Sequence, residues 1–193
     1  MGKQAEKRAQ TKAELVEAFW QLYKEKPLSK ITVNDVAQKA GYYRSTVYYH
    51  FSDVYAILEY IEQNLLTEWE CVVAQNISSN YEALLKGDIQ SILPGVLPFV
   101  EKNGEYIAIL CGENGDPKLQ RRIKDAIRVK IFALLGIDDK HIEANLLFEG
   151  VSACLLASFV KAYQEGIPFN KAAHTLMQIV NPQLFHILLS YRK

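Results

Sequence analysis

The sequence predicts an all-α chain. A small N-terminal three-helix part, residues 1–54, is followed by a larger helical part, residues 55–193. Three observations carry this. Apolar residues recur at helical spacing almost everywhere, as at Leu15, Ala18, Phe19, Leu22 and Tyr23. Strand signals are missing: no sustained alternation, and no Asn-Gly turn between β-branched runs. Glycine and proline clusters punctuate the chain at intervals suited to helices. No period of 20–50 residues repeats, and 193 residues with 49% apolar content suffice for a real core.

The first helix stops near Lys26-Pro27, because the residue before a proline avoids the α region. Thr32 opens a second helix, with Asp35 at the reciprocal position of a capping box. Val36, Ala37 and Ala40 give it a buried side, and Gly41 ends it as a residue able to take positive φ. A third short helix covers Arg44 to Phe51, with Val47 and Phe51 one turn apart and facing inward. Ser52-Asp53 restarts the chain into a long helix reaching about Gln75, its inner stripe Ile57, Leu58, Ile61, Leu65 and Trp69.

Five or six further helices follow. They are divided at Gly87-Asp88, Asn103-Gly104, Asn114-Gly115-Asp116-Pro117, Gly136 and Gly166-Ile167-Pro168. Asp116 reads as an N-cap with Pro117 in the first helical position. The helix over about 139–165 carries a broad band: Leu146, Leu147, Gly150, Val151, Cys154, Leu155, Ser158, Phe159 and Ala162. The segment 170–189 is similarly apolar. Wide stripes with small residues on two adjacent helices predict a helix-pair homodimer interface rather than burial within one chain.

Formal net charge is zero, but it is unevenly spread. Residues 1–54 hold nine Lys/Arg against six Asp/Glu, and the remainder reverses the excess. That asymmetry points weakly to an N-terminal anion-binding part. Cys71, Cys111 and Cys154 form no CxxC pair. They are expected to be small buried hydrophobes in a reduced cytosol, with neither a zinc site nor a redox motif. The opening MGKQAEKRAQTKAE has no apolar run of the signal-peptide kind. GVSACLLASFV, 11 residues between Glu149 and Lys161, is too short to span a bilayer. A cytoplasmic protein with no membrane partner is expected.

Two short helices joined at a glycine make a helix-turn-helix, the first packing and the second offered to a groove. GYYRSTVYYHF, residues 41–51, crowds four tyrosines around one arginine. With Val47 and Phe51 inward, Arg44, Ser45, Thr46, Tyr48, Tyr49 and His50 are left mostly outward. Hydroxyls and imidazole N–H groups donate to phosphate oxygens. Arginine can grip guanine O6 and N7 in bidentate fashion.

The run ITVNDVAQKAGYYRSTVYYHFSD, residues 31–53, resembles the DNA-binding region of TetR/AcrR-type transcriptional regulators. It matches the family pattern at Ile31, Thr32, Ala37, Ala40, Gly41, Thr46, Tyr48, His50 and Phe51. LCGENGDPKLQRRIKDAI, residues 110–127, is similar to a C-terminal segment of one subgroup. The resemblance implies about nine helices and a homodimer, with the helices near 139–165 and 170–189 forming a four-helix bundle across a two-fold axis. It implies a pseudo-palindromic duplex DNA operator, its half-sites about 34–36 Å apart. Thr46, Tyr48, Tyr49 and His50 would touch DNA, mainly its backbone, and Arg44 would read bases. Thr32 and Asn34 would lie near phosphate. The middle helices would enclose a pocket for a small apolar or amphipathic effector, with Trp69, Phe99, Tyr106 and Phe148 as lining; core packing accounts for these four equally well. The C-terminal part would thus serve effector binding and dimerisation.

Three residues depart from the family pattern. Its usual valine is Tyr42. Its usual capping serine is Tyr43, and loss of such a cap costs about 1 kcal/mol. Either another group caps the helix, or Tyr43 itself meets phosphate. Its frequent lysine is Val54, which would lower the salt slope of DNA binding by about 0.9. The function expected is sequence-specific DNA binding by a repressor that an effector releases. The long helix from Ser52 would carry the signal between pocket and helix-turn-helix. The off-pattern residues motivate an alternative: a TetR-framed co-activator that binds a protein partner instead of an operator.

No enzyme is expected. There is no GxSxG, phosphate-binding glycine loop or HExxH. His50, His141, His174 and His186 show no ligand spacing, so no metal or cofactor is anticipated. Glu113 and Asp116 only flank a turn. Arg121, Arg122, Lys124, Arg128 and Lys130 read as a solvated helix face, with an anion site as the lesser alternative.

Overall fold

The computed structural model describes residues 2–86, 88–112, 115–177 and 182–192. Its described residues form ten α-helices, α1 (Lys3–Glu25), α2 (Val33–Ala40), α3 (Arg44–His50), α4 (Val54–Ser79), α5 (Tyr81–Leu85), α6 (Leu93–Leu110), α7 (Pro117–Leu135), α8 (Ile142–Gln164), α9 (Phe169–Met177) and α10 (Pro182–Ser190). Two short 3₁₀ turns accompany them, and the one β-type pairing among the described residues is an isolated bridge between Ile137 and Arg192. The chain divides into two units, Met1–Asn64 and Leu65–Lys193.

The first unit is α1 to α3 with the opening turns of α4. α1 buries Leu15, Ala18, Phe19, Leu22 and also Trp20, which the periodicity alone does not single out. It stops at Lys26, whose extended backbone precedes Pro27 as expected. α2 starts on the expected capping box. The Thr32 hydroxyl accepts the Asp35 N–H at 3.2 Å, and Asp35 Oδ2 accepts the Thr32 N–H at 2.9 Å. Gly41 closes α2 with φ +73°, which a Cβ would strain. Val36, Val47 and Ile57 are fully buried, so α2, α3 and α4 share one small core with Leu15 and Phe19. This unit extends ten residues beyond the boundary read at 54, because Ile57 and Ile61 of α4 are part of that core.

The second unit contains the rest of α4 and α5 to α10. Leu84, Phe132, Leu135, Ile137, Ala144 and Leu188 form one buried cluster that joins α5, α7, α8 and α10. Asp116 caps α7 by accepting the Lys118 N–H at 2.8 Å, with Pro117 first in the helix, and Gly136 ends it at φ +66°.

Several expectations are corrected. Asn103-Gly104 is not a break: both residues are buried inside α6, where Gly104 packs under the Phe159 ring. The polar-glycine dipeptide that suggests a turn here serves close helix packing. Segment 170–189 is two nine-residue helices, α9 and α10, rather than one long helix. Pro182 begins α10 and, lacking an N–H, suits a helix start but not a continuation; 178–181 lie outside the described residues. Cys111 is buried, but Cys71 and Cys154 are exposed. Cys154 lies on the outer side of α8, where the small and apolar residues of the band face solvent. Gly87, Glu113 and Asn114 also fall outside the described residues, as does the His174 side chain.

α8 has two apolar sides. Val151, Leu155 and Phe159 face inward, whereas Ile142 (72% exposed) and Leu146 (70%) face out with Ala153, Cys154 and Ala157. By length and composition alone it is apolar enough to cross a bilayer, since its 23 residues extend the 11-residue uncharged run on both sides.

Candidate functional site

Local chemistry in the first unit sets out the polar face of α3. Val47 and Phe51 are buried, which fixes the helix rotation. Arg44, Ser45, Tyr48 and Tyr49 are then exposed, whereas Thr46 and His50, also expected outward, are half-buried. Tyr48 and Tyr49 stay 56% and 61% exposed, and Tyr43, at the α3 N-cap, 84%. Tyr43 makes no side-chain cap bond, and only its carbonyl serves the helix, accepting the Thr46 N–H at 2.9 Å. Asn34, Gln38, Tyr42, Tyr43, Arg44 and Ser45 border an open groove between α2 and α3, about 510 Å³ in volume. Thr32 lies at its edge of the unit, exposed, with its hydroxyl committed to the capping box.

The other two off-pattern residues are tied into the unit. The Tyr42 hydroxyl donates to Glu14 Oε2, tying the turn to α1. That bond, followed by one from Gln10, holds the Glu14 carboxyl below its usual range. Val54 is 6% exposed and belongs to the core. Val54 is therefore not offered to a partner, whereas Tyr42, half-buried, keeps an edge on the groove.

Residues of α1 that the sequence reading passed over border this face. Arg8 stands over the Tyr49 ring at 5.4 Å, and Lys12 over the Tyr60 ring at 3.5 Å and the Phe51 ring at 5.3 Å. Tyr49 meets His50 edge-on, ring centres 5.0 Å apart. Burial pushes the His50 imidazole below its ordinary value, and the charges of Lys12 and Arg8 push it further. The signal available in the sequence was the one-turn spacing of Arg8 and Lys12 on the polar side of α1. Gln38 likewise joins the groove without having been singled out.

In the second unit, helices α4 to α10 all contribute side chains to an apolar, partly open cavity of about 350 Å³. Trp69, Phe99 and Phe148 line it, and the Trp69 and Phe99 rings lie 5.0 Å apart. Tyr106 does not line it. The α6 stripe that does is Leu93, Val96, Val100 and Ile107, and Tyr106 is half-buried beyond its edge. Lys124 is the one ionisable residue among the described lining, and its ammonium pairs with Glu149.

The remaining basic residues of α7 are mostly matched. Asp125 lies 3.7 Å from Arg121 and 3.3 Å from Arg128, which also donates to Asn145. His141 has a neighbouring carboxylate, Glu143 at 3.3 Å, contrary to the spacing argument. Its Nδ1 accepts the Ala144 N–H, however, so it caps α8. His186 is exposed.

No curated protein matches the chain. Among solved structures, "Dihydroxyacetone kinase operon activator DhaS" superposes with a TM-score of 0.46 and 15% identity, covering 95% of this chain and 98% of that one. Residues 15–61 match the family described as bacterial regulatory proteins, tetR family. That stretch contains the capping box of α2, the Gly41 turn and the whole exposed face of α3. Through this N-terminal unit, residues 15–61, the chain is similar to the tetR family of bacterial regulatory proteins.

Proposed function

We propose that this regulator is a repressor that grips a pseudo-palindromic operator as a homodimer and lets go when a small apolar molecule fills the cavity of its second unit. The observation that carries the DNA part is the division of α3. Val47 and Phe51 are locked inside, while Arg44, Ser45, Tyr48 and Tyr49 are exposed together, with Arg8 beside them. Arg44 reads bases in the major groove. Tyr43, Ser45, Thr46, Tyr48, Tyr49 and His50 meet the backbone, with Thr32 and Asn34 at the neighbouring phosphates.

Dimerisation is assigned to the outer side of α8 together with α9 and α10. Ile142, Leu146 and Ile187 are exposed apolar groups there, and a second copy would remove them from water. α4 runs unbroken from Val54 to Ser79, and we assign it the signal. An effector preferred by a form with a different spacing of the two helix-turn-helix units drains the DNA-competent population.

The test is fluorescence anisotropy against DNA from immediately upstream of the protein's own gene, over a salt series, with Arg44→Ala alongside. Tight binding that weakens steeply with salt and collapses in the variant is expected. Binding indifferent to sequence and to Arg44 would shift the tyrosine face from DNA to a protein partner.

A further inference from the structure

The cavity of the second unit has an unusual polar inventory. Asn76 and Ser152 line it, but each already donates to a backbone carbonyl, Val72 at 2.8 Å and Glu149 at 3.2 Å. Lys124 is neutralised by Glu149. Two buried donors have no acceptor among the described residues: Nε1 of Trp69 and Nδ2 of Asn103. Trp69 is on the cavity wall. Asn103, only 7% exposed, falls on the lining face of α6, three residues after Val100 and four before Ile107. It also follows Phe99 by one turn, and the Phe99 ring is the one packed on Trp69. Trp69 is thus on the wall itself, whereas Asn103 is not one of the lining residues but lies on the same side of α6.

Buried N–H groups are nearly always satisfied, so a pair left open beside a cavity calls for an acceptor from elsewhere. A charged ligand is disfavoured, since the wall offers no unpaired opposite charge among the described residues and desolvation would go uncompensated. A volume of about 350 Å³ falls in the range of small-molecule sites, roughly 300–1,000 Å³.

We infer that the cavity takes a neutral lipophilic ligand bearing one carbonyl-type acceptor, held by the Trp69 indole N–H with the Asn103 amide beside it. This rests on reading the cavity as the effector site. The ligand's apolar body lies against Phe99, Val100, Phe148 and Phe159. Its acceptor discriminates it from plain hydrocarbons, and the lack of free charge discriminates it from fatty acids and amines.

The test uses the full chain and four shape-related probes: acetylnaphthalene, its isopropenyl isostere, naphthoate and naphthylmethylammonium. Calorimetry gives affinities, and the indole N–H proton resonance of Trp69 reports the bond. The ketone is expected to bind about tenfold more tightly than the isopropenyl hydrocarbon, with both ions weaker than either. Trp69→Phe keeps a ring but removes the donor, so the ketone preference should shrink towards unity while the hydrocarbon still binds. Asn103→Leu provides a second, independent reduction.

The inference is overturned if an ion binds most tightly, if the ketone preference survives in both variants, or if no probe binds. DNA affinity, measured with and without the ketone, is a separate arm. Ketone binding that leaves the DNA complex intact would uphold the ligand class and sink effector release.

Discussion

Arg8 on α1 covers the ring of Tyr49 on α3, 5.4 Å from guanidinium to ring centre. This pairing places a fixed cation at the edge of the tyrosine face. Arginine stacked on an aromatic ring keeps its N–H donors free at the rim, so it can still meet a phosphate. Arg8→Ala should weaken operator binding about equally for all sequences and reduce the salt slope by about 0.9. An unchanged slope in a salt titration would confine Arg8 to packing on Tyr49.

His50 gives a pH signature. Its folded-state value is lowered by burial, then by Lys12 and Arg8, so the unfolded chain binds more protons below the ordinary value near 6.5. Stability should therefore fall as pH drops from that ordinary value through the lower folded one. His50→Gln should flatten this part of a urea-midpoint profile. DNA acts oppositely: a phosphate beside the imidazole favours its charged form. Operator affinity should rise more steeply on acidification for the parent than for His50→Gln.

The Thr32–Asp35 box is testable on its own. Thr32→Ala removes the acceptor for the Asp35 N–H and should cost about 1 kcal/mol in denaturant unfolding, with no change in operator sequence preference. Asp35 is held below the ordinary carboxyl value by Lys26 first, then by Thr32. Its contribution is present above the unfolded value and is lost as pH falls through the depressed folded one. An Asp35→Asn variant that shows an unaltered acid limb below pH about 4 would contradict this.

How far the sequence was legible follows from how local each cause is. The cap at Thr32, the turn at Gly41 and the inward pair Val47 and Phe51 are decided within a few residues, and all three are read from spacing. Asn103-Gly104 misleads because its fate depends on Phe159, a residue of another helix. The Arg8–Tyr49 stack depends on how α1 packs on α3, and single-helix periodicity carries no trace of it. Tyr42 looks like a DNA-facing departure until its hydroxyl is found on Glu14. The exposure of Cys154 reflects an uncovered helix face, which apolar composition alone reads as core.

That uncovered face leads to the last prediction. Leu146 at 70% exposure and Ile142 at 72% are costly to leave in water on a helix whose opposite side is already occupied by the cavity. A second copy laid along α8 would cover both and bring Cys154 near its counterpart across the two-fold axis. Leu146→Glu should then convert dimer to monomer in sedimentation equilibrium while helical circular dichroism persists. Because two half-sites must be held together, operator affinity should fall by at least 10²-fold with the loss of linkage between them. Mild oxidation should join parent protomers through Cys154, and Cys154→Ser should abolish the cross-link. A parent chain that sediments as a monomer at micromolar concentration would leave α8 to some other covering partner.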